Sequence, residues 1–194
     1  MEELKKLAEL CEPDPRMTGW LVNNVTGERT PITVAHHHSG LVGEDLGQSV
    51  PAHIRDHFVT AKNLLLYSWF VYRFIPVAQL HLYSCLEFAL RDRLQLDHLE
   101  RPPSLDRLFA LARSEGVLEG VTIRERHVQK LPKLRDDDPD GTDAVWFFNH
   151  MAPYIRYFRN NLAHGTITLM PDGGQSLRVV RDVVEHLYAG CGRE

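Results

Sequence analysis

The apolar positions of this chain recur mainly at three- and four-residue spacing, the period of helices that bury one face. The clearest case is Phe148, Met151, Ile155, Phe158 and Leu162, an apolar seam running toward Gly165. At about 100° per residue, Asn160 and His164 project opposite this seam and Arg159 lies at its flank. Trp146, His150, Tyr157 and Asn161 line up beside His164, so the outer face is aromatic and polar. Thr142 or Asp143 is placed to cap the start of the helix, and Gly165 suits its left-handed end.

The remaining segments follow the same reading. Leu4, Leu7, Ala8 and Cys11 predict a short helix that stops before Pro13 and Pro15. Trp20-Leu21-Val22 and Ile32-Thr33-Val34 predict two short strands around a turn. A long helix is predicted over residues 49–74, with Pro51 near its first position and an apolar second half through Leu64, Leu65, Leu66, Trp69 and Phe70. Pro76 is expected to break it, and a second helix to run over residues 77–94 with Leu82, Leu86, Ala89 and Leu90 inward. On its surface Glu87 and Arg91 are spaced to pair. Ser104 caps a third helix carrying Leu105, Leu108, Phe109 and Leu111. Beyond Gly165 come an extended stretch, a turn at Asp172-Gly173-Gly174, and a last helix capped by Ser176 with Leu177, Val180, Val184 and Leu187 on its inner stripe. The expected fold is mainly all-α, an antiparallel bundle of about four or five helices. Residues 49–194 form the bundle, and residues 1–48 form an N-terminal extension with a short helix and a small hairpin.

Composition narrows the function. With 43% hydrophobic and 25% charged residues among 194, the chain is an ordinary globular protein of one domain. Its formal net charge of −4 makes the overall field weakly repulsive to polyanions, so any phosphate binding must use a local patch. Cys11, Cys85 and Cys191 lack disulfide or zinc spacing and fit a reducing, cytoplasmic setting. The charged opening Met1-Glu2-Glu3-Leu4-Lys5-Lys6 predicts no secretory signal, and the apolar run over residues 64–74 is too short to span a bilayer. His36-His37-His38 invites a metal reading, but adjacent residues diverge on any regular element, and a solvated loop is expected. Asp136-Asp137-Asp138 lacks the spaced ligands of a calcium loop and reads as a solvated turn. No metal or cofactor is therefore expected. Phosphate loops, nucleophile elbows and His-Glu-x-x-His pairs are absent from the sequence.

What remains is Arg159, Asn160 and His164, residue types suited to handling a phosphodiester without metal. Histidine exchanges a proton near neutrality, with a ribose 2′-OH or a leaving oxygen. Arginine forks onto phosphate oxygens as negative charge builds, and an asparagine amide orients either partner. On an ideal helix Arg159 and His164 point about 140° apart. Closing both on one phosphate requires either a loosened helix end at Gly165 or a symmetric dimer in which two such helices meet. A purely structural reading stands beside this one, with Arg159 as a surface ion-pair residue and His164 as a cation at the negative helix end. Around the site, Arg156, Tyr157 and, in the most basic stretch of the chain, Arg126, Lys130 and Lys133 are candidates for contacting RNA phosphates.

The segment Arg159-Asn160-Asn161-Leu162-Ala163-His164-Gly165, ending an apolar-striped helix with one more helix after it, resembles the signature of the HEPN superfamily. There, an arginine and a following polar residue precede a histidine by a short spacing. The stretch from Leu86-Glu87-Phe88 to Leu94 is similar to an earlier helix of many such proteins. The resemblance implies a helical bundle that dimerises through the motif helices. In active members it implies a metal-independent endoribonuclease that leaves 2′,3′-cyclic phosphate ends, often as a toxin or antiviral defence effector with an antitoxin partner. Arg159 and His164 would be catalytic and Asn160 supporting. Where some HEPN toxins carry a modifiable tyrosine two positions after the histidine, this chain has Thr166, so that mode of control does not carry over. Other HEPN domains are non-catalytic and bind nucleotide, RNA or protein partners, which is the alternative expectation.

Overall fold

The computed structural model describes residues 4–19, 21–23, 27–96, 98–124, 142–163 and 173–190. The architecture is an all-α helical bundle with one short antiparallel strand pair near the N-terminus. Its main helices are α3 (Ala52–Tyr67), α4 (Phe74–Arg93), α5 (Leu105–Ser114) and α8 (Gly173–Tyr188), together with a composite helix. The composite consists of α6 (Asp143–Trp146), a π-helical turn (Phe147–Met151) and α7 (Ala152–Ala163). Short helices α1 (Pro15–Thr18) and α2 (Val34–Ser39) and strands β1 (Leu21–Asn23) and β2 (Arg29–Pro31) make up the N-terminal layer.

The centre of the bundle is α4, which packs against α3, α5, α7 and α8. Ala78, Leu82, Tyr83, Cys85, Leu86, Ala89 and Leu90 are all buried, so most of its middle turns meet other helices, and a stripe through Leu80, His81, Ser84 and Glu87 is partly open. Pro76 does not break this helix but sits buried in its first turn, where a missing N–H forfeits no intrahelical bond. In turn α3 is shorter than its apolar run predicts. It ends at Tyr67, where the Leu65 carbonyl accepts from Ser68 Oγ at 2.6 Å and from His37 Nε2 at 2.7 Å. Trp69, Tyr72 and Ile75, with Met17, then build a second small core under the N-terminal layer.

Two polar devices tie the layers together. Gln79, fully buried on α4, donates to Ser176 Oγ of α8 at 3.2 Å, and the Tyr83 hydroxyl lies 3.0 Å from the same oxygen. Ser176 is thus no N-cap; α8 starts at Gly173, and Ser176 faces the core from the first turn. Gly173 lets α8 start close to α3 and α4, since a Cβ would lie 2.4 Å from Leu65 Cδ2 and 3.3 Å from Ile75 Cγ2 and would force the Leu65 side chain to shift. The second device is Asp14, only 4% exposed, which caps α1 through Arg16 N, receives Arg16 Nε and Nη2 at 2.8 and 2.7 Å, and accepts from Tyr72 N at 3.1 Å. It pins the N-terminal layer to the turn between α3 and α4. The loops at Glu44 and Gly47 are held to α8 by Arg181 and Glu185 respectively.

The N-terminal details depart from the pattern. Only Leu7–Glu9 forms a turn of 3-10 helix, and Leu4 and Leu7 find no packing partner among the described residues, staying 97% and 87% exposed. The second strand is Arg29–Pro31 rather than residues 32–34, in register Leu21 with Pro31. The histidine run is not a loop but part of α2, capped by a box in which Thr33 and His36 bond each other's backbone N–H.

Two measurements check this account. Ser176→Ala removes the oxygen shared by Gln79 and Tyr83 and is expected to cost about 1–3 kcal/mol in urea unfolding, with an unchanged slope. The Arg16 hydrogen bond, against the opposing effect of burial, lowers the Asp14 pKa to about 2. A depressed carboxylate stabilises the fold above its unfolded value, so its contribution should fade as pH drops from about 4 to about 2. Over that window the denaturation midpoint of Asp14→Asn should fall less steeply than that of the unsubstituted protein.

Candidate functional site

The composite helix owes its shape to Pro153. Without an N–H, Pro153 cannot bond the Asn149 carbonyl, and its ring crowds that oxygen. The ladder widens just upstream, where Ala152 N–H donates to the Phe147 carbonyl five residues back. The wider turn shifts the seam: Phe147, Met151, Ile155 and Phe158 are buried at 0, 3, 0 and 4% exposure, while Phe148 and Leu162 are only partly covered. Phe147 takes the place predicted for Phe148 and meets Phe109 edge-on at 5.9 Å. Tyr83 of α4 does the same to Phe158 at 5.8 Å. Between these contacts α7 is held firmly against α4 and α5.

This packing decides how the candidate residues are presented. Arg159 is half-buried and its Nη2 lies 2.9 Å from Glu87 Oε2 on α4, a carboxylate whose side chain is only 15% exposed. Its guanidinium is therefore fixed by a neighbouring helix while part of it still reaches solvent. Asn160 is exposed beside it. Tyr157 is 49% exposed, and its backbone carbonyl accepts from Asn161 Nδ2 at 2.8 Å, so Asn161 braces the last turn. Arg156 Nη1 lies 3.2 Å from Asp106 Oδ1 of α5, both exposed. Helix α7 thus exposes Arg156, Tyr157 and Asn160, while Arg159 lies half-buried at its flank against α4. His164, Arg126, Lys130 and Lys133 lie outside the described residues, as does the acidic run at Asp136.

Glu87, spaced along its own helix to pair with Arg91, has a contact with Arg159 that the sequence did not anticipate. Its link to Arg159 spans two elements distant in sequence, and only the packing of α4 on α7 reveals it. The other chemical candidates do not assemble. His36 Nδ1 faces Thr33, His37 Nε2 donates to the Leu65 carbonyl, and His38 is exposed, so the three rings diverge. Among the described residues no group of three or more His, Cys, Asp or Glu converges as metal ligands. Burial pushes the Cys85 thiol up to about 12, which leaves it an unreactive core residue. Among the described residues no helix is long and apolar enough to cross a membrane.

If Glu87 clamps Arg159 energetically as well as geometrically, a double-mutant cycle of Glu87→Gln and Arg159→Gln should return a coupling of about 0.5–1 kcal/mol in urea unfolding. A coupling of zero would mean that the pair is a passive surface contact. No family model, curated protein or solved structure matches this chain.

Proposed function

We propose that the protein is a metal-independent endoribonuclease of HEPN type, acting as a homodimer through α7. The observation that supports this most directly is the Arg159–Glu87 pair at 2.9 Å. It holds a partly open guanidinium in one place beside exposed Asn160, a turn before the sequence reaches His164. Preorganised donors aimed at a phosphate stabilise the charge of its transition state without reorganising when it forms.

In this reading the 2′-oxygen of RNA attacks the adjacent phosphorus and the bond from phosphorus to the 5′-oxygen breaks. The products are a 2′,3′-cyclic phosphate and a 5′-hydroxyl. One copy's His164 takes the 2′-OH proton while the other copy's gives a proton to the leaving oxygen, which explains why two motif helices are needed. Arg159 carries the phosphoryl charge, Asn160 orients the phosphate, and Arg156 and Tyr157 extend the contact along the RNA backbone.

RNA cleavage in EDTA, with analysis of product ends, tests the proposal. The unsubstituted protein should yield cyclic phosphate ends, and His164→Ala and Arg159→Ala should each lower the rate by at least about 100-fold. Light scattering should report a dimer. Equal rates in protein and variants would remove both residues from the chemistry, and tight RNA binding with no cleavage would favour the non-catalytic module instead.

A further inference from the structure

A second cluster, on the other flank of α4, has no part in that chemistry. His57 of α3 and His81 of α4 are hydrogen-bonded to one another, with His57 Nδ1 and His81 Nε2 3.2 Å apart. Both rings are half-buried, so they are held in place yet reached by solvent. The His57 ring is fixed on its other side by Phe88, at 4.8 Å between centroids and 35° between planes. The two histidines sit on the pair of helices that share the most extensive packing among the described residues, so the separation of their backbones is set by the core, by Ile54, Phe58, Cys85 and Ala89. In contrast to Glu87, which faces α7, His81 faces α3.

Two imidazole nitrogens bound to one tetrahedral zinc ion, each at about 2.0–2.1 Å, lie about 3.3 Å from one another. The observed separation matches this bite, and the ion takes the place of the proton that the two nitrogens share, which leaves for the other nitrogen of its own ring through solvent. We propose that His57 Nδ1 and His81 Nε2 form a two-imidazole chelate for a divalent transition-metal ion, bridging α3 and α4. Imidazole nitrogens select zinc, copper, nickel or cobalt over magnesium and calcium, which prefer oxygen. Water fills the remaining positions. The ion's role is to cross-link the two helices rather than to act on RNA, so the site is independent of the Arg159 chemistry.

Zinc added to the full chain in a non-chelating buffer should raise the melting temperature by about 5 °C once its concentration is about a hundredfold above Kd. His57→Gln and His81→Gln should each abolish this shift, whereas His38→Gln, which alters an exposed histidine of the consecutive run, should leave it intact. Circular dichroism checks that the variants stay helical. Independently of any variant, copper(II) bound at one equivalent should show the electron-spin-echo modulation of two coordinated imidazoles. No thermal shift in the unsubstituted protein, an undiminished shift in His57→Gln or His81→Gln, or a copper spectrum without paired imidazoles would each overturn the proposal.

Discussion

The bundle depends on the burial of α4 over most of its circumference. The covered side of such a helix cannot turn polar groups to water, so a polar group there needs a partner on a neighbouring helix. The Gln79 amide N–H and the Tyr83 hydroxyl meet this demand through Ser176, which ties α8 to α4, while Gln79 Oε1 is buried without a hydrogen-bond partner among the described residues. The close approach allowed by Gly173 sets the start of α8 over Leu65 and Ile75. Hydrophobic burial supplies the driving force, and this shared oxygen supplies the register.

The same helix also carries the residues that look outward. Along its less covered flanks, Glu87 meets Arg159 of α7 and His81 meets His57 of α3. Both contacts inherit their precision from the core behind them: Tyr83 packs on Phe158 one residue before Arg159, and Cys85 donates to the Ile54 carbonyl of α3 at 3.5 Å. Placing polar pairs at helix seams rather than on loops holds their separation with no additional backbone ordering.

Much of this was legible in the chain because helical periodicity reports burial directly. The seam through Met151, Ile155 and Phe158, the Ser104 and Thr142 caps, and the inner stripe of α8 appear where the spacing puts them. What the pattern misplaced has local physical causes. Pro153 opened a π-turn that exchanged Phe147 for Phe148, and Pro76 fell within a first turn, where proline is harmless. The run through residues 64–74 is continuously apolar, so periodicity could not reveal that it crosses a turn whose residues belong to a second core. Within the candidate site, Arg159 and Asn160 could be found from local spacing. Glu87 could not be linked to them, because contact between residues 72 positions apart follows from how α4 and α7 pack.

The electrostatics of α7 add a constraint on how it can engage RNA. Each of its described arginines already faces a carboxylate, Arg156 toward Asp106 and Arg159 toward Glu87, and the chain as a whole carries a formal charge of −4. A single copy therefore offers a phosphate little net field, and long-range attraction contributes weakly to its capture. A paired guanidinium still donates geometrically fixed hydrogen bonds through the N–H groups its carboxylate leaves open, so under the proposed function phosphate contact at Arg159 is short-range hydrogen bonding rather than long-range attraction, and the exposed stripe of Arg156, Tyr157 and Asn160 is the part of α7 open to a ligand or a second copy.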